Sequence, residues 1–161
     1  MNIKHFKHQT AIVETDHIGE GTKIWAFSHI CKDAVIGKNC IIGEGVYIGP
    51  GVIIGNNVKI QNHALIYKGV IIEDDVFIGP NVVTTNDIKP QALGDWKDRF
   101  RETLIRKGAS VGANSVIICG NTIGKNSLIG AGSVVTKNVE NNALVYGNPA
   151  KNHGVNNASN S

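Results

Sequence analysis

The chain has 161 residues, a formal net charge of +3, 42% apolar residues and only 6% aromatic residues, which fits one domain by length. The positive balance (pI near 8.8) is mild and dispersed, with no basic run of five and no aromatic-basic interleaving, so nucleic acid is not an expected partner, whereas a small anionic ligand is. No apolar run is long enough to insert in a membrane, the first five residues do not begin a secretory signal, and three cysteines without CxxC spacing point to a reduced, cytoplasmic protein.

Residues 1–11 read as a solvated lead-in containing Lys4, His5, Lys7 and His8. From residue 12 to 83 one residue type returns at every sixth position: Ile12, Ile18, Ile24, Ile30, Ile36, Ile42, Ile48, Ile54, Ile60, Ile66, Ile72 and Ile78. Neither a helix nor a plain strand has this period, so it marks a repeat architecture. Two positions before the next isoleucine stands a small or β-branched residue, as at Ala34, Cys40, Val46 and Val52, which places both side chains on one face of a short strand. Three positions after each isoleucine stands a residue tolerant of positive φ, as at Gly21, Asp33, Asn39, Gly45 and Asn57. Each hexad is thus a short strand and a corner, and three hexads close one triangular coil with the isoleucines inside. The expected fold is all-β, a parallel β-helix of about six coils, with four in 12–83 and two in 105–139.

At Thr84 a threonine stands where the next isoleucine is due, and the period resumes at Ile105. Residues 84–104 therefore read as a loop inserted into the prism. A loop of this length in a compact solenoid is functional or disordered, and Trp96 and Phe100 argue for a packed loop lying on the prism or on a neighbouring subunit. After Asn138 the expected C-terminal segment spans 140–161: a last strand at Leu144-Val145-Tyr146, a compact turn at 147–151, and a frayed polar end from Asn152.

The hexads that begin Ile-Gly (Ile36-Gly37, Ile42-Gly43, Ile48-Gly49, Ile54-Gly55, Ile129-Gly130) resemble the hexapeptide-repeat acyltransferases over nearly the whole chain. That resemblance, and not the spacing, implies a left-handed winding, the known exception to right-handed crossovers. Three stretches, 24–30, 59–62 with Tyr67, and 73–80 running into Thr85-Asn86-Asp87, resemble the sugar N-acetyltransferases of nucleotide-linked 3-amino sugars. The resemblance implies acetyl-CoA as donor, no metal, and a homotrimer with active sites between subunits and the inserted loop over them. It further implies coenzyme contacts at Lys107, Ala109, Ala113, Ala131, Pro149 and Lys151, and substrate contacts at Trp25, His29, Gln61, Asn62, Tyr67 and Asp87.

The resemblance also implies that Asn86, on the first turn of the insertion, stands against the acceptor amine, where its side-chain oxygen can accept from that amine and aim the lone pair; an ordinary turn role competes. His63 is a candidate general base, yet it stands in the positive-φ column, where histidine is itself enriched. The insertion holds no histidine, which favours an amine acceptor over a hydroxyl, because hydroxyl-acetylating relatives carry a histidine base. The resemblance of the subgroup motifs implies a UDP-linked 2-acetamido-3-amino-2,3-dideoxy uronic acid as acceptor, with a dTDP-linked 3-amino-3,6-dideoxyhexose as alternative, either one serving bacterial surface polysaccharide. An O-acetyltransferase using His63 or His29 is the nearest rival. A zinc-dependent γ-type carbonic anhydrase lacks its histidine set, because after His63 the next histidine is His153. An ice-binding prism would show a regular outward threonine array, whereas the outward slots here are mixed, and a non-catalytic scaffold would not need late coils that resemble an acetyl-CoA site.

Overall fold

The computed structural model describes residues 5–94 and 99–157. Three parallel sheets wrap a single apolar column. Face A stacks Phe6–Lys7, Lys23–Ile24, Ile41–Ile42, Lys59–Ile60, Phe77–Ile78, Ser110–Val111, Leu128–Ile129 and Ala143–Gly147. Face B stacks Ile12–Val13, His29–Ile30, Tyr47–Ile48, Leu65–Ile66, Val83–Thr84, Val116–Ile117 and Val134–Val135. Face C stacks Val35–Ile36, Ile53–Ile54, Val70–Ile72, Thr103–Ile105 and Thr122–Ile123, with single bridges from Ile18 to Ile36 and from Ile123 to Val139 at its two ends. Partners in the repeat region lie one coil apart in sequence, as in Ile24↔Ile42 and Ile42↔Ile60. Each isoleucine is thereby set above the equivalent isoleucine of the coil below.

The inward column follows the sequence closely. Ile24 through Ile78 and Ile105, Ile117, Ile123 and Ile129 are all buried, as is the small column from Thr22 to Val82. Where that column is polar, the hydroxyl finds a carbonyl at the next coil: Thr22 donates to Gly37 O at 2.8 Å and Ser28 to Gly43 O at 2.7 Å. Such pairing removes most of the cost of burying a hydroxyl. Cys40 belongs to the same column; its thiol donates to Gly55 O at 3.1 Å, and burial pushes its ionisation up. Corner residues adopt the left-handed conformation as expected, including His63 (φ 60°) and, unexpectedly for an aromatic residue, Phe27 (φ 59°). Asn138 does not; there the last side is shortened, and its side-chain oxygen accepts from Thr122 N at 2.8 Å while Asn142 takes the positive φ.

Several boundaries differ from the expected ones. The prism has about eight levels, eight along face A, because hexad counting misses both ends. Residues 6–7 of the lead-in form the first strand, paired with Lys23–Ile24. At the other end, Ala143–Gly147 adds the last parallel strand, and Ala150–Val155 folds back on it antiparallel, so residues 152–155 are strand rather than frayed tail. Ile12 is not an inward residue. It pairs with the outward His29, is 58% exposed, and leaves the interior to Ala11 and Val13. The step from Val13 to Ile18 is consequently five residues, and the strict period begins only at Ile18.

Thr84 is part of the prism. It pairs with Ile117 and is fully buried. Its hydroxyl donates to Leu65 O (3.3 Å) and accepts from Tyr67 N (3.0 Å), so a β-branched side chain close to valine in size fills an isoleucine slot with its polar atom satisfied. The chain leaves the coil after Thr85 and re-enters at Thr103, whose small side chain is again buried. No helix long and apolar enough to cross a membrane occurs among the described residues.

Candidate functional site

Because every coil turns three corners, side chains far apart in sequence line up in vertical edges. The edge leaving face B carries Tyr67 and, one coil higher, Thr85 and Asn86. Here the inserted loop begins as a short antiparallel stem: Asp87 pairs with Phe100, and Arg101 N donates to Asn86 O at 3.1 Å. Asp87 fastens this stem. One carboxylate oxygen accepts from Lys89 N at 2.7 Å and the other lies 3.7 Å from Arg99 Nε. Arg99 in turn donates to Lys89 O at 2.7 Å and Gln91 Oε1 at 3.2 Å. The Asp87 side chain is only 12% exposed. It is spent on shaping the loop, whereas no described residue engages the half-buried Asn86 amide. Phe100 is half-buried at the stem; Trp96 lies outside the described residues.

The edge leaving face A carries the triplets Trp25-Ala26-Phe27, Gly43-Glu44-Gly45, Gln61-Asn62-His63, Gly79-Pro80-Asn81, Gly112-Ala113-Asn114 and Gly130-Ala131-Gly132. Its lower half opens into a groove of about 450 Å³ lined by His8, Trp25, Glu44, Gln61 and Asn62, among others. The Trp25 ring packs against Phe6 at 5.5 Å. Asn62 Oδ1 accepts from Glu44 N at 3.0 Å, and a Cβ on Gly43 would stand 2.8 Å from Asn62 N, so glycine is what lets these coils close. The His63 ring lies over Gly45, and His63 N donates to Glu44 O at 2.8 Å. A corner role thus accounts for the His63 backbone conformation. His63→Asn keeps the corner conformation and is expected to retain kcat/KM within about threefold, since asparagine shares the tolerance of positive φ; steady-state kinetics on a variant of unchanged Tm check this.

His29 stands on face B itself. Its Nε2 is 3.4 Å from Glu14 Oε2, and its ring meets Tyr47 edge-on at 5.8 Å; Tyr47 then meets Tyr67 at 5.4 Å. An aromatic strip thus climbs from His29 to the foot of the inserted loop. Hydrogen bonding to Cys31, followed by burial, raises the Tyr47 phenol to about 12.

The late coils separate the expected coenzyme residues. Ala113 and Ala131 stack on the face A edge, where Gly132 N donates to Ala113 O at 2.8 Å. The turn holding Pro149 crowns the same edge, with Lys151 exposed opposite Tyr146 and Tyr146 stacked on His153 at 3.5 Å. Lys107 lies on the third edge. Its amide donates to Glu73 Oε2 at 2.8 Å and its ammonium is 3.4 Å from Asp75. The bond from Asn57, with a smaller contribution from Lys107, holds the Asp75 carboxyl below its ordinary range. Ala109 points into the core and is fully buried, so a ligand could meet only its backbone. His8, Glu44 and Arg99 carry no sequence signal of a role: His8 precedes the repeat, and nothing in the spacing of a loop reveals which of its charges pair.

Comparison with known proteins agrees with this geometry. Residues 17–50 and 51–86 match the family described as bacterial transferase hexapeptide (six repeats), and residues 105–137 match the hexapeptide repeat of succinyl-transferase. The chain is 52% identical over 146 residues to a dTDP-3-amino-3,6-dideoxy-alpha-D-galactopyranose 3-N-acetyltransferase of Aneurinibacillus thermoaerophilus, covering 91% of this chain and 76% of that one. Among solved structures, a galactoside acetyltransferase in complex with coenzyme A superposes with a TM-score of 0.68 at 29% identity, over 79% of this chain and 66% of that one. A mutant GDP-perosamine N-acetyltransferase of Caulobacter crescentus, bound to CoA and GDP-perosamine, has a TM-score of 0.65 at 22% identity and shares the fold; the match covers 93% of this chain but only 56% of that longer one. On this basis the chain belongs to the bacterial hexapeptide-repeat transferases, within their sugar N-acetyltransferase branch.

Proposed function

We propose that the protein transfers the acetyl group of acetyl-CoA to the 3-amino group of a dTDP-linked 3-amino-3,6-dideoxyhexose, in the cytoplasm, on the way to a bacterial surface polysaccharide. The observation that carries the acceptor is the 52% identity, over nine-tenths of the chain, to an enzyme named for that sugar class. It favours the dTDP sugar over the UDP-linked uronic acid that the local motifs alone suggested. The acyl donor is supported by the coenzyme A seen in related prisms.

The reaction asks little of the protein beyond placement. The unprotonated sugar amine attacks the thioester carbon, a C–N bond forms, and the tetrahedral intermediate collapses with cleavage of C–S. The amine gives up one proton, and the coenzyme leaves as a thiolate that is protonated by solvent. Asn86 is placed to accept from the amine and direct its lone pair, and backbone amides serve the oxyanion. The exposed edge of Ala113, Ala131 and Pro149, with Lys151 near its top, receives the coenzyme; Lys107, on another edge and paired with Asp75, meets it only across a subunit boundary.

The site is completed by a neighbour. Trp25, Gln61 and Asn62 share an edge with the coenzyme residues Ala113 and Ala131, whereas Asn86 and Tyr67 lie on another, so one chain does not bring Asn86 to the coenzyme. A ring of three copies sets one edge of each prism against a different edge of the next. This arrangement yields three equivalent sites, with His29 at the foot of each.

The acceptor assignment is tested by thiol release from acetyl-CoA with the two nucleotide sugars side by side. The dTDP-linked 3-amino-3,6-dideoxyhexose is expected to exceed the UDP-linked 3-amino uronic acid at least tenfold in kcat/KM. The reverse order would return the assignment to the uronic acid.

A further inference from the structure

Away from the groove and the inserted loop, three side chains converge on the lower end of face B. Glu14, His29 and Cys31 each direct one ligand atom to a common point, and all three atoms lie within 4.8 Å of one another. Glu14 Oε2 is 3.4 Å from His29 Nε2, which is 3.9 Å from Cys31 Sγ. In a tetrahedral zinc centre, Zn–N and Zn–O bonds near 2.1 Å and a Zn–S bond near 2.3 Å set neighbouring ligands about 3.4 Å apart for N···O and about 3.6 Å for N···S. The N···O separation matches, the N···S separation is longer by about 0.3 Å, and the carboxylate oxygen and the sulfur lie within 4.8 Å of each other, so the exposed Glu14 side chain turns toward Cys31 to close the set. We propose that Glu14, His29 and Cys31 form a binding site for a borderline-soft divalent cation of the zinc type, with water or a neighbouring subunit in the fourth position.

The donor set suits that ion. A thiolate and an imidazole select zinc over magnesium or calcium, and thiolate plus carboxylate together neutralise a 2+ charge. The surroundings supply an outer shell. The Tyr47 ring meets the His29 imidazole edge-on at 5.8 Å and backs it from above. Lys32 N donates to Glu14 Oε2 at 3.3 Å and fixes the carboxylate. Such partners orient metal ligands and hold their geometry. Cys31 is buried, while the His29 and Glu14 side chains are 39% and 49% exposed, so the ion has an open approach from one side.

Position gives the site its purpose. Glu14 follows Ile12–Val13, where the chain takes its five-residue step and the hexad rule breaks. His29 and Cys31 belong to the first regular coil above it. A cation here would tie the irregular first coil to the regular prism, a structural role at the foot of the proposed site that does not depend on the acceptor's identity.

The test is titration of Co²⁺ into the reduced, metal-free full chain, followed by near-ultraviolet and visible absorption. One Co²⁺ per chain is expected, with a thiolate-to-cobalt charge-transfer band, intense tetrahedral d–d bands, and displacement of both by Zn²⁺. Cys31→Ser is expected to abolish the charge-transfer band, whereas Cys119→Ser is expected to retain it. Should Cys31→Ser fail to fold, Glu14→Gln and His29→Gln are each expected to weaken Co²⁺ binding at least tenfold. Absence of the band at saturating Co²⁺, its persistence in Cys31→Ser, or unchanged affinity in both Gln variants would overturn the proposal.

Discussion

Asn86→Ala is expected to lower kcat/KM for the amine acceptor by about a hundredfold, with the Tm unchanged. The reason lies in what the residue touches. Its backbone carbonyl is held by Arg101 N at 3.1 Å, which fixes the residue whatever its side chain, while the half-buried amide carries no internal bond to lose. Truncation therefore removes a positioning contact and leaves the stem of the loop closed by Asp87 and Arg99. Loss of orientation at a reacting centre is worth on the order of 10² in rate. Asn86→Asp separates orientation from charge. Its carboxylate still accepts a hydrogen bond, but it stabilises the ammonium form of the sugar amine and raises its pKa. Activity should then return as pH rises, shifting the ascending limb of the kcat/KM profile to higher pH. Steady-state kinetics over a pH series, with Tm as the folding control, decide the point. An Asn86→Ala variant as active as the parent would remove the residue from the acceptor site.

Ile60→Ala and Ile12→Ala belong to one periodic column in the sequence and are expected to behave in opposite ways. Ile60 is fully enclosed, in strand pairs with Ile42 below and Ile78 above. Truncation removes buried methylenes and leaves a cavity that stacked coils cannot close, at a cost of about 2–5 kcal/mol. Ile12 points outward and is 58% exposed, so its truncation costs at most about 0.5 kcal/mol in the isolated prism. Denaturant unfolding of the two variants measures the difference. Equal destabilisation would place Ile12 inside and restore the six-residue period to the first coil.

These two isoleucines also show where the sequence is readable and where it is not. A column position is legible when it is flanked by a small residue two before and a turn residue three after, since strand direction, burial and corner are then all specified. Around Ile12 the neighbours Ala11 and Val13 are apolar as well, and either register buries an aliphatic side chain; only pairing with His29–Ile30 decides. Thr84 misleads in the other direction. Its polarity suggests an exit from the prism, but it is β-branched, and its hydroxyl bonds to Leu65 and Tyr67 of the coil below. Hexad counting also stops short at both ends, where Phe6–Lys7 and Ala150–Val155 add to face A without any repeat signature.

The candidate site is less legible, because function is set by which corner a residue occupies. Trp25, Gln61, Asn62, Ala113 and Ala131 each follow an inward residue of face A by one or two positions, and they share one edge. Lys107 falls on another, and Ala109 in an inward slot. The pairing of Asp87 with Arg99 has no periodic signal, since it depends on how the insertion closes on itself. Nor does the meeting of Glu14, His29 and Cys31, which comes from the same five-residue step that moves Ile12 outward.

The most direct test of the whole account is the initial rate of thiol release from acetyl-CoA with a dTDP-linked 3-amino-3,6-dideoxyhexose and with its 3-hydroxy counterpart. If placement of an intrinsically nucleophilic amine is what this prism supplies, the amine turns over and the hydroxyl falls at least a thousandfold behind, because placement alone does not deprotonate a hydroxyl. Comparable rates with both sugars would contradict that account and make His63 or His29 a general base of an O-acetyltransferase.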